Sequence, residues 1–413
     1  MLKSVFKLLI GNVFSRIAGF FRFQLLIVLF GYTDLTDSII LAVSLVWFLN
    51  NFLLGPLIGR SLVKELAEVT DEKYNLVLRK YISSVVNLGG TGLLIVLGYY
   101  FVYKLDFRIG ITPFELLIIL IALCLLGMNE IFSLYNQFRE RYLVYSINAG
   151  IWNLFLILGV VAIFSLNLIL SPSIYLGVFV LGIIATLLIQ MQAGGLKFDL
   201  FYALKLAWPK WRKTTHNQYS VIFALYSVFL IVDLFYLKKE SSSGDVAFYS
   251  ALTRIPELTS SVLIGTLVPV VVNNLFLKKA NAWKWVGYLV LFILLSYFVI
   301  HLSFSYNNMW LFTKLFGLTK VPSRLEMLWP FIWFACSSIM FLNIRLSVLI
   351  KNETKLLIIF ITTLVLKISI LLFFRPVMRD ILFYNALIYV MNVVVFYVIS
   401  VKNFKDVWYY RIP

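Results

Sequence analysis

Hydrophobic positions gather into twelve long runs, at about residues 6–30, 36–59, 80–103, 113–138, 144–166, 172–192, 216–237, 245–277, 282–304, 328–350, 355–377 and 381–401. Each is close to the roughly 20 residues that a helix, rising about 1.5 Å per residue, needs to cross the hydrocarbon core of a bilayer. The pattern predicts an all-α polytopic membrane protein with about twelve transmembrane helices. One polar interruption stands out near the middle of the chain. Gln192 to Thr215 holds Gly194, Gly195, Pro209 and the basic, tryptophan-bearing run LKLAWPKWRK, suited to lying at the headgroup level. It predicts an N-terminal six-helix bundle over 1–192, a cytoplasmic amphipathic linker over 193–215 and a C-terminal six-helix bundle over 216–413.

The two halves are related. Residues 36–59 and 246–269 align without gaps and share Gly55 with Gly265 and Leu57 with Leu267. Six helices per half is an even number, so the halves share one orientation and their pseudo-two-fold axis runs along the membrane normal, with a cleft between the bundles. Pro56, Pro256 and Pro269 fall inside the second and eighth predicted helices, where each removes a backbone hydrogen bond and can act as a hinge.

Composition supports the membrane reading. The chain is 62% hydrophobic and 13% charged, too apolar for a soluble protein, whose apolar share is about half. A net charge of +17 would suit a nucleic-acid partner, but its distribution points elsewhere. Most basic residues fall on alternate connections, such as Arg60, Lys64, Lys73, Arg79, Lys80, Arg139, Arg141, Lys210, Arg212, Lys213, Lys278 and Lys279. By the positive-inside rule this bias places both termini in the cytoplasm. No nucleic-acid partner is expected. Cys124 and Cys336 lie within apolar runs and read as small buried hydrophobes. His216 and His301 lack neighbours at metal-ligand spacing, so no metal site is expected. The first run has no small-residue cleavage site, which makes it a retained helix rather than a signal peptide.

Charges inside the apolar runs carry the functional reading. Arg16 and Arg22 sit within the first run, in FSRIAGFFRFQ. Burying a guanidinium in lipid costs from roughly 3 to well over 10 kcal/mol, so both are expected to face a wet cavity, unless Arg22 snorkels outward or each pairs with a carboxylate inside the bundle. Arg254 and Glu257 stand three apart in the eighth run and share a helical face, and by themselves are either a mutually neutralising structural pair or part of a polar pathway. Three arginines on helices that begin the two halves would suit an anion such as pyrophosphate in a low-dielectric cleft. Asp37, in TDLTDS, either caps the second helix or forms an outer-gate ion pair. Asp233 lies deep in the seventh run, with no neutralising residue nearby in sequence. Glu130 and Lys367 are further candidates for internal pairing. Asn50, Asn51, Asn129 and Asn148 read as interhelical hydrogen-bond partners. Among enzymatic signatures, no phosphate loop, nucleophile elbow, HExxH or dinucleotide fingerprint occurs, so the chain is not expected to be an enzyme. The enzymatic alternative is a membrane glycosyltransferase or polymerase using Asp34 and Asp37.

The run FSRIAGFFRFQLLIVLFGYTDLTDSIILA resembles the start of the lipid II flippases (MurJ/MviN), at Ser15, Arg16, Gly19, Arg22, Gly31, Thr36 and Asp37. IVDLFYL and FYSALTRIPELTSSVLIGTLVP resemble the seventh and eighth helices of that family, with Arg254 and Glu257 at its substrate-cleft arginine and partner positions. The later part is similar to the Wzx-type polysaccharide-precursor flippases of the same MOP superfamily. The lipid II branch usually has fourteen helices and tends to carry arginine near Asn50 and Asn51, which shifts the expectation toward a different undecaprenyl-linked sugar.

The resemblance implies a flippase of the bacterial inner membrane. Its expected cargo is a polyprenyl-pyrophosphate-linked saccharide, a polysaccharide or peptidoglycan precursor, moved from the cytoplasmic to the outer leaflet by alternating access. Arg16, Arg22 and Arg254 are expected to hold the pyrophosphate, Glu257 to orient Arg254, and Asp37 to help close the outer gate. The chain is expected to act as a monomer among membrane lipids, without a cofactor, coupled to sodium or protons if to any ion. Related flippases hold sodium between the seventh and eleventh helices. Here Asp233 matches the seventh-helix position while the eleventh offers Lys367, so either an ion pair stands in for the cation, or Lys367 snorkels to the outer surface and Asp233 is protonated or hydrogen-bonded. The alternative transporter is a multidrug exporter of the same superfamily, which would present an acidic, aromatic-lined cleft.

Overall fold

A computed structural model of the chain describes residues 2–50, 52, 62, 65–66, 69, 73–104, 111–195, 218–260, 282–305, 322–350 and 353–409. Helix is the only regular structure among the described residues. In chain order the helices are α1 (Leu2–Phe30), α2 (Asp34–Leu49), α3 (Tyr74–Lys104), α4 (Pro113–Phe138), α5 (Tyr142–Ser146), α6 (Asn148–Ser165) and α7 (Pro172–Gly194). They continue with α8 (Gln218–Glu240), α9 over 245–260, α10 (Ala282–Ser305), α11 (Arg324–Ile350), α12 (Glu353–Phe374) and α13 (Met378–Tyr409). Seven of them contain stretches long and apolar enough to cross a membrane, and the chain is an integral membrane protein. The C-terminal end of the second predicted helix, most of the expected linker and the second half of the eighth predicted helix lie outside the described residues, and with them Asn51, Pro56 and Pro269.

The chain divides into two compact units, Met1–Ser220 and Val221–Pro413. In the first, local signals set the helix boundaries. Thr33 caps α2 in a reciprocal capping box with Thr36. Asp37 is therefore not the cap; it lies a turn further on, only 2% exposed. Thr112 and Glu115 form the same device before α4, with Pro113 at its first position. Ser171 and Pro172 open α7, and Gly195, at φ 64°, closes it in the left-handed conformation that glycine adopts without strain.

The fifth predicted helix is broken in two. Ser15 Oγ donates to the Ser146 carbonyl at 2.8 Å and accepts the Gly150 N–H at 2.9 Å. Those two backbone groups are four residues apart and would otherwise bond each other, so the inserted hydroxyl separates α5 from α6. Small residues bring the helices that close. A Cβ on Gly150 would lie 2.3 Å from Phe14 Cε1, and one on Gly11 would lie 1.9 Å from Ser146 Oγ. Ser15 and Gly19 of the SRIAG run thus serve the packing of α1, with Gly19 facing Asn153. Asn129 Nδ2 donates to Asn148 Oδ1 at 2.8 Å between α4 and α6, and Asn136 Nδ2 donates to the Gln190 carbonyl and side chain between α4 and α7.

The second unit is built around α8, α9, α11, α12 and α13. Trp333, Tyr389, Phe229, Phe360 and Phe396 are among its fully buried side chains. Pro256 is buried within α9, and Tyr297 of α10 donates its hydroxyl to the Pro256 carbonyl at 3.1 Å. Tyr297 also meets Ser338 Oγ, which donates to Ser260 Oγ at 3.0 Å. This chain of hydroxyls holds Pro256 and Ser260 of α9 against α10 and α11.

Candidate functional site

Charged side chains inside apolar helices are the groups to trace, because each needs a physical reason to be there. On α1, Ile10, Phe14, Ile17, Phe21 and Val28 form an exposed apolar stripe at helical spacing. Such a stripe is suited to lipid. Arg16 is also exposed, but it lies off the stripe, since neighbouring residues point about 100° apart around a helix. Arg22 has different surroundings. It is 7% exposed, and its guanidinium carbon lies 5.4 Å from the centroid of the Trp152 ring. Trp152 in turn packs against Trp47 at 5.4 Å and Phe179 at 5.2 Å. A cation against an aromatic face in a dry setting gains an attraction that partly replaces lost hydration.

The turn between α1 and α2 gathers Tyr32, Asp34 and Asp37. Thr36 Oγ1 donates to the Gly31 carbonyl at 2.7 Å, and Gly31 itself, at φ 72°, makes the turn that leads from α1 into α2. Burial pushes the Tyr32 phenol well above its ordinary range, so it stays neutral. Glu130, the remaining carboxylate singled out in the first unit, is half-buried on α4 and has no ion-pair partner among the described residues.

In the second unit, Arg254 Nη1 bonds Glu257 Oε2 at 2.6 Å, and their side chains are 23% and 43% exposed. The spacing of three on one helix makes this contact, and it leaves both groups accessible. Immediately before Arg254, buried Thr253 turns inward and donates to the Tyr249 carbonyl at 3.1 Å, so the two faces of the helix differ sharply.

Asp233 of α8 and Lys367 of α12 are charges buried to 0% and 2% exposure. The structure brings them together, with Lys367 Nζ 2.8 Å from Asp233 Oδ2. The same carboxylate oxygen accepts the Tyr249 hydroxyl at 2.7 Å and Asn385 Nδ2 at 2.7 Å. Tyr249 and Asn385 were not singled out from the sequence. A polar Asn385 inside the apolar run of α13 was the available signal; a tyrosine carries none, because its ring suits an apolar helix whether or not its hydroxyl has a partner.

The seven side chains expected to act are therefore distributed over both units. Arg16, Arg22 and Asp37 belong to the first; Arg254, Glu257, Asp233 and Lys367 belong to the second. Within the second, they form two separate pairs. Among the described residues no group of three or more histidine, cysteine, aspartate or glutamate side chains is placed to hold a metal ion.

No protein-family model matches the chain, and no curated protein sequence does. Among solved structures, the chain matches one described as the lipid II flippase MurJ in an inward-closed conformation, with a TM-score of 0.74, 16% identity, and coverage of 96% of this chain and 89% of that one. At that identity the likeness is one of fold, and the chain has the all-helical fold of MurJ.

Proposed function

We propose that this protein is a flippase that carries a polyprenyl-pyrophosphate-linked saccharide from the cytoplasmic to the outer leaflet of a bacterial inner membrane by alternating access, with both termini in the cytoplasm. The observation that carries the reading is the MurJ fold over 96% of the chain. The arginines of α1 and α9 add to it, because a cargo with a pyrophosphate head needs cations inside the membrane. A pyrophosphate and several sugars cannot cross about 30 Å of hydrocarbon unaided, since unpaired charge burial costs tens of kcal/mol by Born estimates. In this reading Arg16, Arg22 and Arg254 supply positive charge to the pyrophosphate, Glu257 orients Arg254, and Asp37 helps to close the outer gate. The lipid tail stays in the bilayer throughout.

The test is reconstitution into proteoliposomes with a fluorescent polyprenyl-pyrophosphate-linked saccharide in the inner leaflet. Its appearance at the outer surface, read with a membrane-impermeant quencher, should exceed that of protein-free vesicles. Equal rates in the two preparations would remove the proposal.

A further inference from the structure

A carboxylate buried in a membrane helix is an ordinary place for a transported or coupling cation, because its charge must be neutralised there. Sodium is the cation that the resemblance implies for this fold. The surroundings of Asp233 do not fit it. A sodium ion needs a shell of oxygen lone pairs, whereas Asp233 Oδ2 is surrounded by donors: Lys367 Nζ at 2.8 Å, the Tyr249 hydroxyl at 2.7 Å and Asn385 Nδ2 at 2.7 Å. Asn385 Nδ2 also reaches the Tyr249 oxygen at 3.1 Å, which uses a lone pair that an ion would require. The ammonium itself places two of its three N–H groups on oxygens of α8. It donates to the Phe229 carbonyl at 2.5 Å and lies 5.2 Å from the centroid of the Phe229 ring, so it is held against α8 by a carboxylate, a carbonyl and an aromatic ring. Asp233 Oδ1 is buried and makes no hydrogen bond among the described residues. It is the one oxygen of the carboxylate at which a cation could arrive, and any such cation would stand beside a resident positive charge.

We infer that Lys367 is a tethered counter-ion: its ammonium takes the place of an inorganic cation beside Asp233, and this chain works without sodium at that site. Tyr249 and Asn385 complete the arrangement by adding neutral donors to the oxygen that the ammonium holds. The part of the inference that concerns transport rests on the flippase reading. The part that concerns the site does not.

Two readouts keep them apart. First, the unfolding temperature of the purified full chain in detergent is measured in sodium chloride and in choline chloride at equal ionic strength. The two values should agree. Asp233→Asn and Lys367→Met should each lower the unfolding temperature by several degrees, since each strands one buried charge, and the double variant should recover part of the loss because no charge remains. A sodium-dependent rise in the unfolding temperature of the unaltered protein, or a double variant no more stable than the weaker single one, would overturn the inference. Second, flipping in proteoliposomes should proceed at the same rate, within about twofold, when choline replaces sodium on both sides. A rate that collapses without sodium would overturn it as well. If no flipping occurs in either salt, the flippase reading is lost, while the unfolding measurements still decide the fate of the counter-ion.

Discussion

Ser15 Oγ stands between Ser146 and Gly150, bonding the carbonyl of one and the N–H of the other across 2.8 and 2.9 Å. One hydroxyl of α1 thereby replaces a backbone bond of a neighbouring helix, and both backbone groups depend on it for satisfaction in a buried setting. Replacing Ser15 by alanine should cost about 1–3 kcal/mol, the penalty of a buried polar group left without its partner. A fall in the unfolding temperature of the purified protein measures this. An unchanged value would mean that α5 and α6 simply rejoin into one continuous helix.

The close approach of α1 to α6 makes a second, steric prediction. Gly150→Val should be more damaging than Ser15→Ala, because even the first carbon of the new side chain meets the Phe14 ring at 2.3 Å. Gly177 of α7 is the contrasting case, where a Cβ would have no heavy-atom neighbour within 4 Å. Gly177→Ala should be neutral or stabilise the protein by up to about 1 kcal/mol through helix propensity. Expression yield and unfolding temperature of the two variants should diverge in opposite directions.

Arg22 and Trp152 should prove energetically coupled. Their separation of 5.4 Å and the 7% exposure of Arg22 describe a largely desolvated cation–π contact. Such contacts contribute about 0.5–2 kcal/mol. A double-mutant cycle with Arg22→Met and Trp152→Leu should return a coupling of that size in unfolding experiments, and zero coupling would remove the contact from the account of why Arg22 is tolerated.

Arg254 and Glu257 should behave differently from the buried charges. With side chains 23% and 43% exposed, the pair adds little to stability, within about 1 kcal/mol. Arg254→Ala should therefore leave folding nearly intact while abolishing flipping. Arg254→Lys should restore only part of the rate, since an ammonium lacks the planar fork that grips a phosphate. Glu257→Gln should give an intermediate rate. An Arg254→Ala variant that flips at the normal rate would end its proposed role.

Much of this protein was legible in the order of its residues. Membrane helices are dictated by a local rule, that every backbone group in hydrocarbon must bond within its own segment. The apolar runs therefore marked α4 at Pro113–Phe138 to the residue and α10 within one position of its end. The caps at Thr112 and Ser171 lie next to the helices they open, because the first N–H groups of a helix need an acceptor close by in the chain. The charged residues that needed explanation could also be found by inspection, because charge inside an apolar run is conspicuous whatever the fold. What the order of residues did not contain was the identity of each partner. Sequence left Arg16 and Arg22 equivalent, two arginines in one run; packing placed one exposed off an apolar stripe and the other over a tryptophan 130 positions away. It left a single fifth helix where Ser15 makes two, and it left Asp233 and Lys367 as a pair where Tyr249 and Asn385 make four. Each of these is a contact between helices distant in the chain. Side chains there meet because small residues permit close approach and buried polar groups must be satisfied, and those conditions are met only in three dimensions.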